Sequence, residues 1–353
     1  MRRARPRRGH RMAGKPGVAC GMPRPSFSRL ALVTAAAFAS VAFAQSSPTA
    51  PKLGFPMACV IGKTCEIQHY FDRDPAHGML DYHCGHRSEP AHNAIDIRLL
   101  DMAAMRRGVD VLAAAPGRVL AVRDGVADNV PGAPLPTASQ CGNRVAIDHG
   151  DHWITDYCHL ERGTLKVKAG DVVAAGQPIA QVGMTGGTEF PHLHMSLQHG
   201  NTFVDPFAPE PGPNPTCAAS NPLWTPQALR QLTYKEGDVL VAGITSERAG
   251  TPEIEQGNLP PFSASAPLMV GYTRVIGLVA GDEIEIDLTG PGGAVLAHGR
   301  LPPLAHNRDQ SDASLAHARP PGGWPHGAYG GEVKVWRSGK VVLDRKLSAG
   351  PPL

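Results

Sequence analysis

The 353-residue chain carries 34 Lys+Arg against 31 Asp+Glu, a formal +3 at pH 7, with 40 Gly, 34 Pro and only 5% aromatic residues. Nine of those basic residues and none of the acidic ones fall in the first 44 positions, so the rest of the chain is mildly acidic, at −6, and the sequence pI of about 8.5 belongs to its leader. That balance removes the electrostatic reason to expect nucleic acid or an anionic membrane as partner, and the Gly and Pro content argues for many turns rather than long helices.

In chain order, the basic stretch is followed by an apolar run from Leu30 to Ala44 that ends on the small residues Ala42 and Ala44. This order is that of a secretory signal over 1–44, with Met12 and Met22 as alternative starts. As a membrane anchor the run is too short to cross ~30 Å of hydrocarbon. Export to the periplasm or outside the cell is therefore expected, with no transmembrane segment once the signal is removed. Of seven cysteines, Cys20 leaves with the leader, and six remain for an oxidising compartment. Cys59 and Cys65 flank a short loop with Gly62. Cys141 and Cys158 bracket a predicted hairpin turning near His149 to His152. Cys84 with Cys217 follows by elimination. A thiolate metal site is disfavoured because the sequence has no CxxC pair.

An N-terminal extension over 45–84 leads into a stretch, 85–210, where short runs with β-branched residues alternate with turn signals: RVLAV, NRVAIDH, HWITDYCHL, PIAQVG and HLHMSLQ. This is an all-β pattern. The Pro-rich segment Pro209 to Cys217 opens a linker over 211–230, in which TPQALRQL reads as a short helix. Over 231–350 the runs VIGLV, EIEIDL and GEVKVW, with RSGKVVLDRKL returning through a turn at Ser338 and Gly339, predict a β-sandwich accessory domain. Its histidines, His298, His306, His317 and His326, are scattered through predicted loops, which suits surface positions.

Chemistry concentrates in three segments. In PHLHMSL, His192 and His194 are two apart, so a strand aims both at one face while Leu193 and Met195 point away. Two solvated histidines on an open sheet face would read the same way. In HNAID, His92 and Asp96 are four apart and share a side if the strand is continuous. Two imidazoles and one carboxylate would give zinc three protein ligands, leaving a fourth position for water. In YCHL, His159 ends the run that opens at Trp153. Elsewhere, His83, Cys84 and His86 are weaker candidates for a second metal site. His149 and His152 read as solvated turn residues, and the Gly-rich GMTGGTEF reads as a cleft wall rather than a phosphate loop, since it lacks Lys and a following helix. The segment VKAGDVVAAGQPIAQVG is like the half-barrel of biotinyl and lipoyl carriers, but shows no modifiable Lys at a hairpin tip.

Taken together, HNAID, AAAPGRVLAV, CGNRVAIDHGDHWITDYCHL, VKAGDVVAAGQPIAQVGMTGGTEFPHLHMSL and VDPF, in this order, resemble the lysostaphin-type or β-lytic zinc metalloendopeptidases over about a third of the chain, from Gly85 to Phe207. The resemblance implies a lysostaphin-like β-rich metallopeptidase domain holding one Zn2+ through His92, Asp96 and His194. It makes His159 and His192 the catalytic histidines, with His192 favoured as the base. The implied substrate is the peptide part of peptidoglycan, cut at a stem or cross-link bond. A secreted protease acting on Gly-rich proteins, and a non-catalytic activator of a cell-wall amidase, are the alternatives. One position departs from the family pattern: Ala94 stands where Gly is usual, which would strain the backbone if that position needs a positive φ.

Overall fold

Strand alternation builds the first layer. The structure, a computed structural model, describes residues 49–349 apart from 75, 77, 131–133 and 135–138, and the expected leader over 1–44 lies outside them. β1 (Cys65–His69) pairs antiparallel with β2 (Ile95–Leu99), and α1 (Met102–Arg106) follows, its first turn capped by the Asp101 carboxylate accepting from the Ala104 amide at 2.7 Å. β3 (Asp110–Leu112) leads to β4 (Gly117–Arg123), β5 (Asn143–Asp148) and β6 (Trp153–Leu160), three runs the sequence marks as strands. β7 (Val172–Val173), β8 (Pro178–Gln181), β9 (His192–His199) and β10 (Thr202–Phe203) complete this part.

These strands form an eight-stranded sheet in the order β1-β2-β9-β6-β5-β4-β7, with β10 on β9, while β3 and β8 make a separate two-stranded ribbon. Ile95, Ile97 and Leu99 of β2, and Leu193, Met195 and Leu197 of β9, are buried on one face with Val145, Ile147 and Tyr157. Each such side chain contributes about 1.5–3 kcal/mol on burial. The opposite face of the same two strands therefore carries their polar residues, Asp96 and Arg98 on β2 and His192 and His194 on β9. The register sets Asp96 beside His194 and Arg98 beside His192.

α2 (Pro226–Gln231) forms where the sequence predicts a short helix, with Thr225 capping the Ala228 amide and Pro226 in its first turn. β11 (Asp238–Thr245) and α3 (Thr251–Gln256) follow, then β12 (Leu268–Leu278), β13 (Glu283–Thr289), β14 (Val295–Arg300), β15 (Arg308–Ala318), β16 (Gly330–Arg337) and β17 (Lys340–Ser348). They make a sandwich of a three-stranded sheet, β11-β12-β15, and a four-stranded sheet, β14-β13-β16-β17. Val239, Ile244, Met269 and Val275 from one sheet meet Ile284, Ile286, Leu288, Val333 and Val335 from the other in a second core. Ser338 and Gly339 both take positive φ, 50° and 76°, between the paired Arg337 and Lys340, which is the backbone that a two-residue hairpin turn requires.

All described residues belong to one compact unit, and its two cores are joined by buried charge. Arg98, fully buried on β2, meets Glu255 of α3 at 3.3 Å and the side-chain oxygen of Gln310 on β15 at 2.7 Å. Arg274 of β12, also fully buried, shares Glu255 and binds Asp312 at 2.8 and 2.9 Å. Three disulfides, Cys59–Cys65, Cys84–Cys217 and Cys141–Cys158, join the same partners as the sequence reading. The second closes a loop with a sequence separation of 133 and ties the N-terminal extension to the segment after β10, the class of cross-link that restricts an unfolded chain most.

Candidate metal centre and active site

The sheet's polar face opens into a cleft of about 540 Å³ lined by Asp96, His159, His192 and His194, with His92 and Phe190 at its sides. His194 and Asp96 are cross-strand neighbours, and Nδ1 of His194 lies 2.9 Å from Oδ1 of Asp96. His92 reaches the same carboxylate from outside the sheet. Its Nδ1 lies 2.9 Å from the Tyr70 carbonyl, an acceptor only, so Nδ1 carries a proton and Nε2 is the nitrogen turned to the carboxylate. That Nε2 is 3.1 Å from Oδ2 of Asp96, yet its geometry makes no hydrogen bond and it has no other partner. A buried imidazole nitrogen without a hydrogen-bond partner close to a carboxylate, with a second imidazole on the carboxylate's other oxygen, is an arrangement that suits a cation.

Electrostatics point the same way. Burial alone would raise the Asp96 carboxyl, but His92, His192 and the hydrogen bonds from His192 and His194 hold it well below the usual carboxylate range. Burial also pulls His92 down, while the Asp96 charge and contact outweigh it and push His92 up to about 9. The cluster favours added positive charge, and the ligand atoms of His92, Asp96 and His194 all lie within 4.8 Å of one another. Nitrogen and carboxylate donors at such spacing fit zinc.

His92 corrects one expectation. It does not stand in a strand continuous with Asp96, because β2 begins at Ile95. Pro90 has no amide proton to give a ladder, Ala91 takes φ 63°, and the His92 amide is spent on the Glu89 carbonyl at 3.0 Å. A turn, not strand periodicity, brings His92 over Asp96. Ala94 is buried at 2% exposure and is not among the described residues with positive φ, so the methyl in place of the family's Gly meets no backbone strain.

A bulge aims His159. Asn143 faces Leu160 and Val145 faces Tyr157, so Cys158 and His159 together stand opposite Arg144 alone. The extra residue puts His159 at φ 61°, a left-handed backbone that costs about 1–3 kcal/mol outside glycine. Bulges of this kind re-aim a side chain beside active sites. The Gly-rich segment then orients both histidines. The Thr185 carbonyl accepts from Nδ1 of His159 at 2.7 Å, and the Phe190 carbonyl and Thr188 hydroxyl lie 3.1 and 3.0 Å from Nδ1 of His192. Both rings are thus fixed with Nε2 free of backbone partners, and their centroids are 4.6 Å apart. Burial, with His192 and His194 nearby, holds His159 well below the ordinary imidazole range, so its ring is neutral. Gly186 allows this segment to fold so closely, since a Cβ there would stand 2.3 Å from the Gln140 carbonyl oxygen.

All five residues expected to form the site meet in this cleft, and GMTGGTEF does wall it. Cys84 is bonded to Cys217, the pairing expected from sequence, and His83 stacks on Tyr234 with centroids 4.1 Å apart. One further expectation is corrected. His149 is not a free turn residue: it is half-buried, its nitrogens engage the Pro116 carbonyl at 2.7 Å and the Thr155 hydroxyl at 2.8 Å, and burial lowers its basicity. His69 was not foreseen at all. It ends β1 and holds Oδ2 of Asp96 with Nδ1 at 3.0 Å. CEIQH shares no motif with HNAID, and no spacing connects residues 27 apart that meet only through strand pairing.

Residues 91–206 match peptidase family M23. The chain is 45% identical over 56 residues to the peptidoglycan DD-endopeptidase ShyA of Vibrio cholerae, which covers 16% of this chain and 13% of that protein. It is 33% identical over 101 residues to lipoprotein NlpD of Yersinia enterocolitica, covering 29% of this chain and 89% of that sequence. A zinc-containing peptidase from Vibrio cholerae aligns in three dimensions with 28% identity and a TM-score of 0.30, over 44% of this chain and 39% of that one. The chain spans only 13% to 25% of the length of most curated relatives it matches. With the HNAID, YCHL and PHLHMSL residues gathered in one cleft and the family match lying over them, the chain belongs to peptidase family M23.

Proposed function

We propose that the protein is an exported zinc endopeptidase that cuts peptide bonds in the stems or cross-links of peptidoglycan. The observation that carries this reading is the buried, unpartnered Nε2 of His92 beside the Asp96 carboxylate, with Nδ1 of His194 on the other carboxylate oxygen. His92, Asp96 and His194 would hold the ion. When bound, zinc acidifies the attacking water and polarises the scissile carbonyl. The similarity to a relative named as a peptidoglycan DD-endopeptidase suggests the substrate class.

The chain's own residues supply the proton handling. Nδ1 of His159 donates to the Thr185 carbonyl, which leaves Nε2 as an acceptor aimed into the cleft, and the ring is neutral. His159 therefore takes the proton from the attacking water. This reverses the order of roles favoured from sequence. Nε2 of His192 lies 3.5 Å from Oδ1 of Asp96. His192 donates a hydrogen bond to the developing oxyanion and passes a proton to the leaving amine. The Thr188 hydroxyl and Phe190 carbonyl keep its ring from turning.

Digestion of purified sacculi followed by muropeptide analysis tests the reading. The expected result is new stem-peptide or cross-link cleavage that a chelator abolishes and zinc restores. His159→Ala should lower the rate by about 10²- to 10⁴-fold with zinc content unchanged. Absence of cleavage by folded, zinc-loaded protein would overturn the enzymatic reading in favour of an activator of a wall amidase.

A further inference from the structure

At the rim of the catalytic cleft, His69 has a second side that the proposed reaction does not use. Its Nδ1 lies 3.0 Å from Oδ2 of Asp96. The ring is 3% exposed, and Nε2 is buried with no hydrogen-bond partner. What Nε2 faces is two carboxylates: Oε1 of Glu89 at 3.7 Å and Oδ1 of Asp309 at 4.0 Å. Among the described residues neither Glu89 nor Asp309 has another ion-pair partner.

The contrast with another acidic cluster is instructive. Glu285, Asp287 and His298 also stand close together on the sandwich, but Lys334 lies 3.5 and 3.4 Å from the two carboxylates and Arg300 joins Glu285 at 3.9 Å. That cluster already holds its cations. The His69 cluster has none, although its placement is fixed: the Gln68 amide donates to the Asp309 backbone carbonyl at 3.0 Å and brings the start of β15 against β1.

We propose that His69, Glu89 and Asp309 form a second divalent-cation site that clasps the sandwich to the peptidase sheet at the rim of the cleft. One imidazole nitrogen and two carboxylates suit a borderline ion such as zinc. The three ligand atoms already lie within 4.8 Å of one another, and bond lengths of ~2.0–2.2 Å need only small side-chain adjustments to close around an ion. Glu89 and Asp309 are about half exposed, at 52% and 53%, which gives the ion entry and leaves room for water in its remaining positions. The ligands come from β1, the loop before β2, and β15, so an ion there links segments that are 220 residues apart at their nearest. Through His69 it also bears on Asp96, because a cation on Nε2 strengthens the Nδ1–H bond that orients that carboxylate.

This site stands without the catalytic reading, and its test reads metal rather than activity. The full chain, dialysed to equilibrium against buffered free Zn2+, should hold about two zinc ions by elemental analysis, and Asp309→Asn about one. His194→Ala, which disables the site in the cleft, should also hold about one, and the double variant none. Zinc should raise the melting temperature of His194→Ala but not of His194→Ala combined with Asp309→Asn. Among the described residues the Asp309 side chain makes no other hydrogen bond or ion pair, so its replacement should fold, which circular dichroism checks. An unchanged zinc count in Asp309→Asn would overturn the proposal and leave His69 as an imidazolium paired with both carboxylates.

Discussion

Asp96 and Arg98 sit two residues apart on the same face of one strand, and both are almost fully buried, yet their surroundings are opposite. Around Asp96 stand only imidazoles: His69, His92, His192 and His194. Around Arg98 the protein provides Glu255, Gln68 and Gln310, and Phe190 offers its ring face 4.2 Å from the guanidinium carbon. With Arg274 and Asp312 added, that second cluster has two positive and two negative groups and needs nothing from outside. The Asp96 cluster has no Lys or Arg within ion-pair reach of its carboxylate among the described residues, and Nε2 of His92 is buried there without a hydrogen-bond partner. A buried charge balanced within the chain holds elements together, whereas one left unbalanced marks a place for a ligand.

The largest effect should follow from neutralising the unbalanced charge. Asp96→Asn keeps the shape of the side chain but removes its affinity for a cation. Zinc content at the cleft should collapse, and wall cleavage should fall by about 10³-fold or more, since metal polarisation contributes several kcal/mol. The metal-free variant should be less stable than the metal-free parent in chemical denaturation at neutral pH, because the depressed carboxyl of Asp96 means that folding stabilises its charge. Retained zinc and retained activity together would erase the distinction between the two clusters.

Glu255→Gln makes the reverse change at the balanced cluster. It strands Arg98 and Arg274, both fully buried, with one carboxylate where there were two. Removing one member of a buried ion network costs about 3–5 kcal/mol, visible as a lower denaturation midpoint, with the cleft's zinc content unaltered. A stability change near zero would mean that water already reaches the two guanidinium groups and that the balance is not what joins the sandwich to the sheet.

The two clusters also differ in how far they can be read from sequence. Asp96, His192 and His194 follow from strand alternation, because Ile95, Ile97 and Leu99, and then Leu193, Met195 and Leu197, claim the other face. Arg98 follows by the same rule, since it alternates with the same aliphatic residues. Its partners do not: Glu255 lies 157 positions away on α3, where no spacing relates it to IDIRL. His69, Glu89 and Asp309 escape for the same reason, each from a separate segment. His159 is visible in YCHL, but its direction depends on a bulge whose extra residue no propensity announces. His92 is visible as a residue, while the turn at Pro90 and Ala91 that places it is not. The sandwich and its hairpin at Ser338 and Gly339 were legible because turn chemistry and alternation agree locally.

The smallest effect separates burial from mere proximity along the same junction. Arg106, at the end of α1, donates to the side-chain and backbone oxygens of Gln256 at 3.2 and 2.7 Å, one residue from Glu255, but this contact is exposed. Water competes for each of its hydrogen bonds, and the long side chain loses rotamer freedom in making them. Arg106→Ala should therefore cost no more than about 0.5 kcal/mol, close to the resolution of a denaturation midpoint. If it instead matched Glu255→Gln, the joint between sheet and sandwich would depend on contact at that edge rather than on charge removed from solvent. The expected gap of several-fold between losing the contact at Glu255 and losing the contact at its neighbour Gln256 measures what burial adds to an otherwise similar polar contact.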